Sequence, residues 1–521
     1  MSAPQTKLIT KFLERRQIEA DLRQMLRASS ELEFQRQAQR IASLGSQVIP
    51  TIVGNLDRAD ARMLTAMGTV ATFLDEAQVT SALHQAVLQP QQTDRARIGA
   101  MTILERFLGQ RPDDSLLASL RDPEGMAISS LEEILSQVEQ NPAILIQYIE
   151  QLDQQEPDIV LAVVRSLRDM GAPSPAAEHH PQAVEPLRMM AQDVREEIAA
   201  EALQALGTIR LPEAARALQT LIPITAPALR PQAERFLRKL QFSGVPVSPL
   251  PPPEPHWRAL ISPVNGGGQQ SVWFLQRILG TEYSQFLNIL LSDRAGAVEA
   301  IGHNQVPGRI LPPEMPPGYL HDIALPDGSG AMLMLEADFD LGRRLVVESL
   351  VGNRRTQIPV AGPLRLLSPR LWGYAGADSL PTRRLPALDG ADPALVAVSD
   401  RLLEHPAFVT WTARSQATFR AAAEAWRRPG WDLEVWVRRL TGELFGQQEL
   451  AQVLSSRLES MSEWLLLAGD ESRAGMTLAA ARAIPNQPPQ EHPFLRALVR
   501  RDLNALLQSL QVSEPVSGIE Q

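Results

Sequence analysis

Apolar residues recur every three or four positions through most of the first 240 residues, and that spacing predicts helix from end to end. The clearest unit spans residues 193–222. Val194, Ile198, Ala202 and Leu206 stand four apart and form one stripe. Asp193 is expected to cap this helix, and Gly207 to end it in the left-handed conformation. A second helix is expected after Pro212, which suits a first turn, with Ala215, Leu218 and Ile222 facing inward. Leu44-Gly45, Leu108-Gly109 and Met170-Gly171 close similar runs. Gly109, Gly171 and Gly207 lie 62 and then 36 residues apart, about two repeats and one. Helix pairs at such a period, each burying one face against the next, are the mark of a solenoid.

The period changes beyond Val245. Residues 245–255, VPVSPLPPPEP, hold six prolines in eleven and are expected to run as an extended polyproline linker. An SH3-type ligand is the other reading, but it lacks a flanking basic residue. Alternating residues then predict strands at 257–264 and 270–277, joined by the glycine-rich turn NGGGQ, and another at 286–291. Residues 297–304 fit strand or helix. A proline-rich loop leads to a second hairpin, HDIALP and AMLMLEAD around DGSG, and from Asp340 the period is helical again. The last 130 residues return to helix, expected over 394–404, 408–428, 433–445, 449–468 and 494–510.

Residues 193–221 resemble a HEAT repeat of the short bacterial kind also found in phycobilin-lyase-like proteins. The likeness rests on Val194-Arg195, Ala202-Leu203, Leu206-Gly207, Ala214 and Leu218. The resemblance implies a ladder of aspartate and arginine along the stack, here Asp193 and Arg195, with Arg97 filling the arginine role in another repeat. It covers about 40 % of the chain and implies a fold rather than an activity. SEWLLLAGDESRAGMTLAAARAI is similar to a tetratricopeptide helix pair with Gly469 at its turn.

The resulting expectation is a mainly α chain with an N-terminal HEAT-like α-α superhelix, a small central α+β domain and a C-terminal helical, partly tetratricopeptide-like region. The domains are expected at 1–244 (helical repeats), 245–256 (linker), 257–375 (α+β, antiparallel strands) and 376–512 (helical), with a disordered tail at 513–521.

Composition narrows the chemistry. The chain has no cysteine, which removes disulfides, thiol catalysis and thiolate metal sites. Its net charge is −10. Residues 1–250 carry 25 basic and 31 acidic side chains, a net of −6, and no segment has the positive field that drives non-specific nucleic-acid binding. The basic residues are almost all arginine, with lysine only at positions 7, 11 and 239, as a GC-rich bacterial genome would produce. The first residues lack a secretory apolar run, and no stretch of about 18 apolar residues occurs. A cytoplasmic protein without membrane association is expected.

Candidate constellations are few. Gly266-Gly267-Gly268 invites a phosphate-loop reading, but neither the lysine nor the helix of such a loop follows, so a hairpin turn is expected. Glu336, Asp338 and Asp340 alternate at a strand end, and with His303 or His321 they make one candidate hard-cation site. A solvated strand face explains the same pattern. His179-His180 falls in a proline-containing loop. Arginine pairs recur at 343–344, 354–355, 383–384, 427–428, 438–439 and 500–501, some near Trp426, Trp431 and Trp436. They read as solvated helix faces backed by core tryptophans, with base stacking as the alternative. No residue is assigned to catalysis, cofactor binding or metal ligation, and no cofactor is expected.

By elimination the sequence points to a non-enzymatic binding scaffold for a protein partner, acting as a monomer or small homo-oligomer. The alternative is nucleic-acid processing, since HEAT-type stacks also resemble a bacterial DNA glycosylase family with a basic concave groove. The net negative charge and the lack of tryptophan before Trp257 speak against it. An enzymatic activity in the central domain is a further alternative.

Overall fold

A computed structural model describes residues 15–26, 28, 31–59, 61–89, 91–110, 131, 134–135, 138, 141–172, 181–253, 256–324, 330–388, 390–427 and 432–513. The chain is mainly helical, with a small antiparallel sheet in its middle. It divides into two compact units, residues 1–136 and 137–521.

Among the described residues of the first unit are helical residues 15–25 and the helices α1 (Glu31–Ala42), α2 (Ile49–Asn55), α3 (Ala61–Ala71), α4 (Glu76–Leu88) and α5 (Asp94–Arg106). Local signals set two of the starts. Asp75 accepts the Gln78 N–H at 2.9 Å and Thr93 the Ala96 N–H at 3.2 Å, each satisfying a donor that the first turn leaves free. Helices one apart in sequence pack together: α1 on α3, α2 on α4 and α3 on α5. Ile18, Leu22, Ile41, Ile52, Val70, Leu83 and Leu104 fill the core they enclose.

The second unit opens with the same arrangement. Its helices are α6 (Ala143–Asp153), α7 (Pro157–Gly171), α8 (Val184–Met190), α9 (Glu196–Leu206), α10 (Pro212–Leu221) and α11 (Arg230–Phe242). Here α6 packs on α8, α7 on α9, α8 on α10 and α9 on α11, so alternate helices form two rows. Val194, Ile198, Ala202 and Leu206 are all buried, as the stripe predicts. Two local expectations fail. Gly207 has φ −70°, an ordinary right-handed value, and is glycine because a Cβ there would lie 2.6 Å from the Phe236 ring. Asp193 does not cap the helix's free donors; it accepts the backbone N–H of Arg195 at 2.9 Å and grips that residue's guanidinium.

Residues 245–253 run extended, as their prolines require, but lie against the unit: Gln219 donates to the Ser248 carbonyl at 2.9 Å, and the Ala375 N–H to that of Pro251 at 2.7 Å. Six strands follow: β1 (Trp257–Ile261), β2 (Gln269–Arg277), β3 (Tyr283–Ser292), β4 (Gly296–Pro307), β5 (Leu320–Ala324) and β6 (Ala331–Asp338). All pair antiparallel in the order β4-β3-β2-β1-β6-β5. The ambiguous stretch 297–304 is therefore strand, paired with β3 along its length. Helix α12 (Phe339–Thr356) lies on one face, where Gly342 lets its backbone approach Phe274 and Ala259. On the other face Leu260, Leu275 and Met334 form a second cluster with Trp273 and Phe286, closed by Leu311.

Short helices α13 (Gly362–Leu367) and α14 (Pro369–Trp372) lead to the last region. There the expected helix at 394–404 is a short α15 (Pro393–Ala397) followed by a 3₁₀ segment. The expected helix at 408–428 begins only at Gln416, as α16 (Gln416–Arg427). Residues 412 and 413 are held out of helix by buried Asp502, which accepts the Thr412 hydroxyl at 2.7 Å and the Ala413 N–H. Then come α17 (Leu433–Phe445), α18 (Gln448–Leu467), α19 (Glu471–Ala483) and α20 (Pro493–Ser513). α18 packs along α19, and Gly469 turns between them at φ +80°.

Candidate functional site

Arginine is the residue to follow in the second unit, because it is buried where sequence patterning put it in water. Arg188, Arg343, Arg344, Arg365 and Arg457 are each at most 6 % exposed. A guanidinium leaves water at a large penalty unless its donors are met. Here they are met by groups far away in sequence together with near neighbours, Glu185 for Arg188 and Asp340 for Arg343. Arg188 on α8 donates to Ser368 Oγ at 2.6 Å and the Leu366 carbonyl at 3.0 Å. Arg365 reaches Asp153 at 3.1 Å, and burial holds the Asp153 carboxyl above its usual range despite that partner. Arg343 pairs with Asp340 and lies over the Phe339 and Trp372 rings at 4.9 and 5.8 Å. These contacts tie the rows of helices to α12, α13 and α14.

Two clefts collect the polar chemistry. The first, of about 290 Å³, opens between α12, α18 and the β1–β2 turn. Arg344 crosses it to Glu463 at 2.9 Å, Arg383 donates to Ser460 Oγ at 2.9 Å, and Arg457 pairs with Asp293 at 2.6 Å. Arg344 Nε and Ser349 Oγ are buried beside this cleft without a hydrogen-bond partner. Ser460 Oγ is committed as donor to the Ser456 carbonyl at 3.1 Å. The charged groups of this wall are largely engaged with one another.

The second cleft, of about 370 Å³, lies between α12 and the stretch 191–199 with the 3₁₀ turn Ile222–Ile224. Its wall mixes apolar side chains such as Ile224, Leu229, Leu350 and Val360 with the charged Asp193, Arg195, Glu196 and Glu197, and Arg354 and Gln357 stand at the end of α12. Arg354 donates to the Ile224 carbonyl at 3.0 Å and Arg230 to the neighbouring Pro223 carbonyl at 3.3 Å. Burial, reinforced by the Arg230 charge, pulls the Arg354 guanidinium below its usual range.

The residues singled out from sequence fall into place unevenly. Gly266-Gly267-Gly268 is the β1–β2 turn; a Cβ at Gly266 would meet the Trp411 backbone at 2.7 Å, and one at Gly268 would strike Asp293. Arg457 also donates to the Gly266 carbonyl, so the turn is locked from two sides. Glu336 and His321 do meet, at 2.8 Å, but their third partner is Arg258, 2.6 Å from the same carboxylate oxygen. That cation occupies the position a metal would need. Asp338 is exposed, and Asp340 turns to Arg343. His303, on β4, stacks on Phe286 of β3 and lies at the opposite sheet edge from His321 on β5. Among the described residues no group of three or more histidine, aspartate or glutamate side chains is arranged to hold a metal.

His179, His180, Arg428 and Trp431 lie outside the described residues, as do the side chains of Trp426 and Arg427. Trp436 is half-buried with Arg439 over its ring at 5.2 Å, and Arg500 is ion-paired to Glu434 at 2.7 Å. The reading of the arginine pairs as solvated faces is corrected for Arg343 and Arg344, which are interior cross-links. Arg188, Arg230, Arg365 and Arg457 went unmarked in the sequence, since nothing within a helical turn of each announces a distant partner.

Comparison with known proteins finds no matching family model, no similar curated protein and no similar solved structure. No helix among the described residues is long and apolar enough to cross a membrane.

Proposed function

We propose that this chain is a non-enzymatic binding scaffold, a HEAT-type α-solenoid that offers a preformed surface to a protein partner. The observation that carries the reading is the two-row packing of alternate helices, α1–α3–α5 with α2–α4 in one unit and α6–α8–α10 with α7–α9–α11 in the other. In a solenoid each repeat contacts its neighbours alone, and the rows leave long faces on which many distributed contacts can add up. The arginine pattern agrees with it. Arg195, just before α9, donates to the Leu152 and Gln155 carbonyls at the end of α6, and Arg97 on α5 to the Gln89 carbonyl after α4. Both tie a helix start to an earlier helix end, and each pairs with a nearby aspartate, Asp193 and Asp94, which supports the aspartate–arginine ladder that the resemblance implies. α18 and α19 extend the reading as a tetratricopeptide-like pair.

Interior arginine cross-links favour a rigid frame over a catalytic centre, because they spend charged groups on holding elements together. The scaffold is proposed to act in the cytoplasm as a monomer or small homo-oligomer. The test is affinity purification from the native host, with and without nuclease. A stoichiometric protein that persists through nuclease is the expected result. Bound nucleic acid, or partners lost on nuclease treatment, would transfer the proposal to nucleic-acid binding, and a chain that carries nothing would overturn both.

A further inference from the structure

Residues 245–253 carry a periodicity that belongs to neither helix nor strand. Their prolines stand at 246, 249, 251, 252 and 253. Each fixes its own φ at about −65° and holds the residue before it out of the α region. The stretch forms no helix, strand or turn, so it runs as a polyproline II helix with about three residues per turn. Such a helix has three edges. Val247, Leu250 and Pro253 make one edge and are half-buried against the body of the second unit. Pro246, Pro249 and Pro252 make the next and are all exposed, as are Ser248 and Pro251 on the third. Val245, which heads that third edge beside the end of α11, is buried. One edge is therefore anchored, and two face water.

The polyproline helix is also pinned. Gln219 on α10 donates to the Ser248 carbonyl at 2.9 Å, and the Ala375 N–H to the Pro251 carbonyl one turn later at 2.7 Å. Among the described residues no group donates to the carbonyls of Pro249 or Pro252. Phe242, the last residue of α11, lies just before this stretch and is 91 % exposed. Apolar rings held in a fixed row in water are what the surface of a partner reads.

We propose that residues 246–252 form a docking ridge for a partner domain with an aromatic-lined groove. Such a groove takes a residue–proline pair between parallel tyrosine and tryptophan rings, and its indole N–H or phenol O–H groups donate to carbonyls left free. Ser248-Pro249 and Pro251-Pro252 are two such pairs, one turn apart on the exposed edges, while Leu250 between them packs inward. The groove reads proline rather than charge, because no basic residue lies within 245–253. A free proline-rich peptide loses conformational freedom when it binds, whereas this segment is ordered beforehand by its two anchors. The inference rests on the reading of the chain as a scaffold for a protein partner, and it names one surface and the kind of partner that fits it.

The experiment is titration of the full chain into purified SH3 and WW domains, read by NMR shifts of the small domain's groove. At least one domain is expected to bind saturably through its aromatic groove, with Kd below about 1 mM. Pro249→Ala combined with Pro252→Ala should weaken that binding at least about tenfold. Both rings lie in water, so the melting temperature of that chain should stay close to the parent's. Gln219→Ala, which releases the Ser248 anchor, should weaken binding by about twofold to fivefold. Should the doubly substituted chain fail to fold, competition by a synthetic peptide of residues 245–253 carries the test, and failure to displace the full chain counts against the ridge. The proposal is overturned by absence of saturable binding up to about 1 mM, by binding outside the groove, or by binding that the doubly substituted chain retains. The scaffold reading is decided separately by what co-purifies from the host. A host partner retained by the doubly substituted chain overturns the ridge and leaves the scaffold standing. A chain that carries nothing overturns the scaffold, while the titration still decides the ridge.

Discussion

The Arg344 guanidinium donates to Glu463 Oε1 at 2.9 Å across 119 positions of sequence, and both residues are only 6 % exposed. The pair joins α12, which covers the sheet, to α18 in the last helical region. Glu463 also accepts the Arg384 N–H at 2.9 Å, so one carboxylate gathers three segments of the chain.

Removing one member should therefore be worse than removing both. Arg344→Met leaves Glu463 buried with only Arg383, 3.7 Å away, as a cation and is expected to destabilise the second unit by about 3 kcal/mol. Arg344→Met combined with Glu463→Leu should lose clearly less than the sum of the single changes. Urea unfolding of the four chains of this cycle gives the coupling directly, and additive losses would show that the two residues do not act as a pair.

Asn353 has a comparable role at the far end of α12. It is fully buried; its Oδ1 accepts the Ala297 N–H at 2.7 Å, and its Nδ2 donates to the Ala295 and Ile358 carbonyls at 3.0 and 3.1 Å. Gly296 sits so close that a Cβ there would strike the amide. Asn353→Ala orphans at least one buried N–H and should lose at least about 2 kcal/mol in chemical denaturation. Asn353→Asp should be worse, because a carboxylate would then face carbonyl oxygens.

Two glycines separate close packing from backbone conformation. Gly207→Ala drives a methyl into the Phe236 ring and is expected to lose about 1–3 kcal/mol, partly restored by Phe236→Leu in the same chain. Gly280 has φ +77° with nothing within 4 Å of a Cβ, so Gly280→Ala should lose only the ~1 kcal/mol of the left-handed conformation, and no repacking should restore it. Thermal melts of the single and paired variants check both statements.

His492 is fully buried, with Nε2 3.0 Å from the Ala480 carbonyl, and burial holds its pKa below the ordinary histidine value; the same is true of His405. The unfolded chain then binds more protons than the folded one just below that ordinary value of about 6.5. The stability these residues contribute is complete above about 6.5 and is lost as pH falls toward their depressed folded values. Denaturation midpoints measured from pH 8 to about 5 should decline. His492→Gln should flatten that decline, and an unchanged slope would assign it to other groups.

Much of the helical framework was legible in the residues themselves. The stripe at 194, 198, 202 and 206 marks α9, and the alternation over 270–277 marks β2, because burial on one face imposes its own period. What escaped was interaction at a distance. Gly207 carries the signature of a helix stop, but the requirement that keeps it small is a ring 29 positions away in α11. Arg188 meets Ser368 across 180 positions, and nothing in the local pattern separates it from an arginine in water. The delayed start of α16 depends likewise on Asp502, a residue of α20.

The division of the chain into residues 1–136 and 137–521 has an optical consequence. All eight tryptophans lie at or beyond Trp257, so the first unit has no indole, while the second buries Trp372, Trp411 and Trp464 in its interior. Tryptophan emission therefore follows the second unit alone, whereas far-ultraviolet dichroism registers helices in both. A first unit that unfolds on its own would separate the two melting traces, so the chain can report without a label which unit gives way first.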